Sequence, residues 1–73
     1  MHYFIDVILP IPLERLFTYR ITSAESSFIK PGMRVAVPFG KSKIYTGLVY
    51  KTHNNAPKIY EAKEIHQILD EFL

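Results

Sequence analysis

Lys30-Pro31-Gly32-Met33-Arg34-Val35-Ala36-Val37-Pro38-Phe39-Gly40-Lys41 places two proline- and glycine-bearing turns around a short alternating strand. Lys30-Pro31-Gly32 has Pro second and Gly third, the pattern of a type II turn. Residues 33–38 then read as a strand that Pro38 ends, because proline fixes φ and removes a ladder donor. Beyond it Phe39 can show a ring face, Gly40 lets a ligand approach the backbone, and Lys41 adds a mobile positive charge. The trio suits something flat and anionic, such as a nucleotide. The local pattern equally describes a tight turn with a buried Phe and a solvated Lys.

Working outward, residues 3–9 alternate Tyr3, Ile5, Val7 and Leu9 against Phe4, Asp6 and Ile8, a strand with two largely apolar faces. Pro10 and Pro12 take the chain out of the sheet. Residues 17–21 resume the alternation with Phe17, Tyr19 and Ile21 on one face and Thr18 and Arg20 on the other. Residues 22–30 read as a polar connection. Residues 43–52 form the longest alternating run, and Gly47 within it marks a bulge or a close backbone approach. Residues 53–58 are a loop by composition. Residues 59–73 carry two readings: Ile65, Ile68, Leu69 and Phe72 fit a helix, while residues 63–69 also fit a strand. Short strands separated by Gly and Pro turns predict a mainly all-β fold, a small antiparallel barrel of the OB kind, whose closure would remove exposed edges.

With 73 residues the chain is one small domain, expected to bury only about 60% of the surface its unfolded form exposes. It has no Cys, so neither disulfides nor thiolate zinc can support the core, and a reducing intracellular setting fits. The N-terminal apolar run lacks a basic leader, contains Asp6 and stops at Pro10, which is neither a signal peptide nor a membrane span. A formal net charge of +2 is too small for binding nucleic acid by bulk charge, so any such site is expected to be compact.

No phosphate-binding loop, dinucleotide fingerprint or nucleophile elbow is present, and the acidic residues show no recognisable acid–base pairing. His2, His53 and His66 lack ligand spacing. The chain reads as a non-enzyme with no cofactor.

Taken in order, Leu9-Pro10-Ile11-Pro12-Leu13, Leu16-Phe17-Thr18-Tyr19, the stretch from Lys30 to Lys41, Thr46-Gly47-Leu48-Val49 and the segment from Lys63 to Asp70 resemble the N-terminal 3′-DNA-binding domains of PriA, the bacterial replication-restart helicase also called primosomal protein N-prime. The resemblance covers essentially the whole chain, with Gly-x-Arg-Val-x-Val-Pro-Phe-Gly its strongest part. It implies that residues 1–73 are a single 3′-end DNA-binding module at the front of a larger, cytoplasmic, bacterial helicase. The partners implied are single-stranded or forked DNA with a 3′ end, the downstream helicase domains and other primosome proteins, with no membrane. ATP, magnesium and zinc belong to the full-length protein only.

By the same resemblance Phe17, Gly40 and Lys63 surround the terminal nucleotide. Thr18 stands where the family has Asp, exchanging a strong acceptor for a hydroxyl. Phe39 is a second stacking ring, Lys41 a phosphate partner, and Arg34 and Lys43 weaker ones. Each has a plainer reading as well. Phe17 and Phe39 can be core, Gly40 can serve turn geometry alone, Lys63 can be simply solvated, and Arg34 can pair with an acid across the sheet. The alternative function is a protein-docking module that uses Phe39 and nearby apolar residues.

Overall fold

The computed structural model describes residues 1–70. The alternating segments become β1 (Tyr3–Ile8), β2 (Phe17–Ile21), β3 (Arg34–Phe39), β4 (Lys43–His53) and β5 (Gln67–Ile68), with a short helix α1 (Ser23–Ser26) after β2. They form one antiparallel sheet in the order β2-β1-β4-β3-β5. One face carries the core, in which Ile5, Val7, Val35 and Val37 are fully buried and Tyr19, Ile21, Ile29 and Val49 nearly so. Period-two alternation is what assembles it: Ile5 faces Tyr19 and Val7 faces both Phe17 and Val49 across the ladders.

The fold is mostly β and OB-like, as expected, but the sheet is not closed into a barrel. Its edge strands β2 and β5 share no ladder. Residues 63–69 link the two edges instead. Arg20 N–H donates to the Lys63 carbonyl at 2.8 Å, whereas His66 and Leu69 N–H donate to Ala36 and Arg34 of β3 at 2.7 and 2.9 Å. A segment this short satisfies the exposed edge groups of both strands without laddering fully with either. The helical reading of residues 59–73 is therefore wrong across the described part. The strand reading holds only for Gln67–Ile68, and Phe72 lies outside the described residues. Ile65 and Ile68 still pack on the core from an extended backbone.

Several boundaries differ from the sequence expectation for identifiable reasons. Residues 22–30 hold a one-turn helix because Thr22 and Glu25 form a capping box: the Glu25 N–H donates to the Thr22 hydroxyl at 3.0 Å and the Thr22 N–H to the Glu25 carboxylate at 2.8 Å. β3 continues through Pro38 to Phe39. The backbone groups of Arg34 and Ala36 that face away from β4 point to residues 66–70, and Pro38 follows the same alternation at a place β5 does not reach, so its missing N–H leaves no ladder bond unmade. The Lys30-Pro31-Gly32 turn forms as the sequence predicts, with Met33 N–H donating to the Lys30 carbonyl at 3.1 Å and Gly32 at φ 93°.

Gly47 marks a close approach: a Cβ there would sit 2.3 Å from the Val7 side chain. The irregularity in β4 lies three residues on, where the pairing jumps from Asp6↔Lys51 to Val7↔Val49 and Tyr50 is the extra residue. Because side chains alternate with period two, this single insertion turns Lys51 and His53 to the face carrying Phe4 and Asp6. Without it His53 would point to the opposite side.

Candidate nucleic-acid interface

At the far end of β3, where the sheet has opened beyond the reach of β5, lies a pocket of about 280 Å³. β2 supplies Phe17 and Thr18, β3 and its turn supply Phe39 and Gly40, and the segment before β5 supplies Lys63. Five of the eight residues singled out from sequence thus meet at one place although they come from three separated parts of the chain.

The aromatic wall is packed ring on ring. Phe17 and Phe39 meet edge to face at 5.2 Å between ring centres, and Phe39 also leans on Tyr45 at 5.7 Å. Both phenylalanines are half-buried against the core, so their structural and site readings are compatible: each anchors in the core and presents part of its ring outward. The Arg15 guanidinium lies 4.9 Å over the Phe17 ring, a cation–π contact worth roughly 0.5–1 kcal/mol at an exposed site.

Behind the wall the Tyr19 hydroxyl donates to the Pro38 carbonyl at 2.8 Å and ties β2 to β3. Burial, with a smaller contribution from Tyr60, pushes its pKa up to about 12. The phenol accordingly stays protonated and keeps donating. Tyr60 comes in from the loop, and its hydroxyl accepts the Thr18 N–H at 3.0 Å, covering an edge-strand donor that would otherwise face water. Gly40, at φ 70°, turns the chain between β3 and β4. No protein atom lies within 4 Å of the place where its Cβ would be, so the backbone there is open to a ligand.

Lys63 and Glu61 join Arg15 as charged residues lining the pocket. Lys63 Nζ donates to the Gly40 carbonyl at a long 3.4 Å and is otherwise exposed, and Glu61 lines the same rim.

The other three candidates are elsewhere. Lys41 and Lys43 are exposed in and beside the β3–β4 turn without lining the pocket. Arg34 starts β3 five residues before Phe39, about 16 Å away, and is held by Asp70: Nη2 and Nε contact one carboxylate oxygen at 2.8 and 2.9 Å while its backbone N–H donates to the other at 2.7 Å. The plainer reading of Arg34 as half of an ion pair therefore describes what the fold does with it. Arg15, Tyr60 and Glu61 are pocket residues that sequence reasoning missed. None lies in an alternating run or a turn motif, and nothing in the local pattern signals them.

Among the described residues no group of three His, Asp or Glu side chains is placed to hold a metal ion, and no helix is long and apolar enough to cross a membrane. A family model described as 3′DNA-binding domain (3′BD) matches residues 6–73. No curated protein and no solved structure matches.

Proposed function

The chain belongs to the PriA 3′-DNA-binding-domain family, and from that premise we propose that its pocket captures the 3′ end of a single DNA strand without regard to base. In this role it orients a downstream helicase on the nascent leading strand of a stalled fork. The module is a DNA-binding domain rather than a catalytic one. The observation that carries the proposal is the meeting of Phe17, Thr18, Phe39, Gly40 and Lys63 around one cavity.

Each part has a physical task. Stacking on an aromatic ring is worth roughly 1–3 kcal/mol per base and is indifferent to sequence, which a restart protein requires. Gly40 admits the terminal nucleotide against its backbone, and Lys63 pairs with the last phosphate. In this proposal the domain works in the bacterial cytoplasm and holds no cofactor, while ATP, magnesium and zinc serve the downstream motor.

Fluorescence anisotropy of the 73-residue chain with a linear strand and with the same strand circularised tests the proposal. Tighter binding of the linear form is expected. Equal or absent binding of both removes end capture.

A second reading, docking of a protein partner, draws on a different surface from the one the sequence suggested. Phe39 is packed against Phe17 and Tyr45, whereas Ile8, Ile44, Leu48 and Tyr50 stand exposed on the outer side of the sheet. Salt separates the two readings: DNA binding weakens as salt rises, and an apolar contact scarcely responds.

A further inference from the structure

The chain has three arginines, Arg15, Arg20 and Arg34, and the fold treats one of them differently. Arg20 pairs with Glu64 at 3.2 Å and Arg34 with Asp70 at 2.8 Å. Among the described residues the Arg15 side chain has neither a carboxylate nor a carbonyl as partner. It is exposed in the segment that leads into β2, where its backbone N–H closes a tight turn by donating to the Leu13 carbonyl at 3.0 Å. Its guanidinium lies 4.9 Å over the Phe17 ring, and the residue lines the pocket.

A guanidinium carries five N–H donors in a planar fork and no acceptor. An aromatic face answers its charge but offers those donors no oxygen. The fork is thus held at the pocket wall with its donors left for water or a ligand. The charged residues lining the cavity are Arg15, Lys63 and Glu61, two cations against one acid, and among the described residues Glu61 makes no ion pair with either. Lys63 reaches the Gly40 carbonyl from the segment before β5, whereas Arg15 enters from the start of β2. Phosphate oxygens are acceptors that match a planar fork two at a time. The plainer role for Arg15 is packing, its stem covering part of the Phe17 ring while its head is solvated.

We propose that Arg15 is a second phosphate-binding residue of the pocket, its fork pre-positioned by Phe17 and paired with a different backbone phosphate from the one Lys63 holds. The inference rests on the reading of this cavity as a DNA site and adds a residue and a second contact to it. Two cations on separate segments fix the direction of a strand as well as its position, because each phosphate must fall opposite its own partner. One lysine, a point charge on a flexible stem, does not set that register.

The test follows anisotropy of short linear strands with the 73-residue chain over a range of salt. Arg15→Met keeps an unbranched apolar stem beside Phe17 and removes the fork. It should weaken binding by about tenfold at low salt and lower the slope of log affinity against log salt by about 0.7, one single-strand phosphate. Arg15→Lys should keep the slope and only part of the affinity, since it retains the charge without the fork. Arg20→Met, at a paired arginine outside the cavity, should change neither. Strands carrying one neutral methylphosphonate linkage at a time then locate the contact: Arg15→Met should lose its effect at one linkage and Lys63→Met at another. Circular dichroism checks that each variant is folded, and Arg15→Gln replaces Arg15→Met should the latter not be. An unchanged slope on removing the fork overturns the inference, and a persisting preference for linear over circular strands would leave end capture standing. Loss of both effects at the same linkage also overturns it, since the two cations would then share one phosphate. If linear and circular strands bind alike while the slope still falls, end capture fails and the Arg15 contact stands. No binding of any strand removes both.

Discussion

The two ends of β3 carry cations of the same sign and treat them in opposite ways. At its start the fold consumes Arg34, which Asp70 holds through two side-chain contacts and one backbone bond. At its end, beyond Phe39, Lys63 lines the pocket with its Nζ held by one long bond to the Gly40 carbonyl. The difference follows from where β5 stops. Residues 66–70 cover the first half of β3 and bring Asp70 with them, and past Ala36 the edge is open. A basic residue is available to a phosphate only where the fold has not already satisfied it, and this cannot be judged from the residue type.

Both ends of β3 depend on β4 behind them, so disturbing β4 should abolish the contrast along with the fold. Gly47→Ala puts a methyl 2.3 Å from Val7 Cγ1 and 3.1 Å from the Ile8 carbonyl. Overpacking of this kind costs roughly 1–3 kcal/mol, and the urea midpoint should fall further than for a substitution at Gly40, Tyr19 or Asp70.

Substitution at Gly40 should weaken only the pocket end. Valine at φ 70° is a β-branched residue in the left-handed region, which costs roughly 1–2 kcal/mol, so Gly40→Val would strain the backbone as well as fill the pocket. Gly40→Asn, which tolerates that backbone, should unfold near the normal urea midpoint while binding a 3′ end less tightly. Tyr19→Phe leaves the Pro38 carbonyl without its donor and should lower stability by about 1 kcal/mol.

Removing one charge at a time should separate the two ends. Lys63→Met should reduce the slope of log affinity against log salt by about 0.7, the share of one single-strand phosphate contact. Arg34→Met should leave that slope unchanged. The smallest effect concerns pH. Hydrogen bonds from the Arg34 side chain and backbone hold the Asp70 carboxyl below its usual range. A depressed pKa contributes stability that is complete above the unfolded value of about 3.9 and disappears as pH falls through the lower folded value. Asp70→Asn should flatten the stability profile in that acid window and leave 3′-end binding at neutral pH unaltered.

Much of this was legible in the chain. Strands β1 to β4 followed from period-two alternation, and the Gly32 turn followed from Pro31 and Gly32. Gly47 announced a close approach because no side chain fits beside Val7. The capping box of Thr22 and Glu25 was also written in the sequence, but it is followed by a helix of one turn that no periodicity supports. The final segment was not legible, since Ile65 and Ile68 satisfy helical and extended spacing alike and only the unpaired edges of β2 and β3 decide between them. For the site, the family resemblance supplied Phe17, Gly40 and Lys63. Arg15, Tyr60 and Glu61 reach the pocket by tertiary placement alone. The substitution of Thr18 for an acid pointed to a weaker site, and the fold puts the buried Asp6 carboxylate 2.6 Å from its hydroxyl.

If the open end of β3 binds the strand and the closed end does not, the two should respond differently to one ligand in a single titration. Isotope-labelled chain would be titrated with a short strand bearing a free 3′-hydroxyl while backbone amide shifts are followed by NMR. Saturable shifts are expected at Phe17, Thr18, Gly40, Tyr60 and Lys63, with Arg34 and Asp70 unmoved. Shifts centred on Arg34, or spread over Ile44, Leu48 and Tyr50 on the outer side of β4, would place the strand elsewhere and refute the pocket.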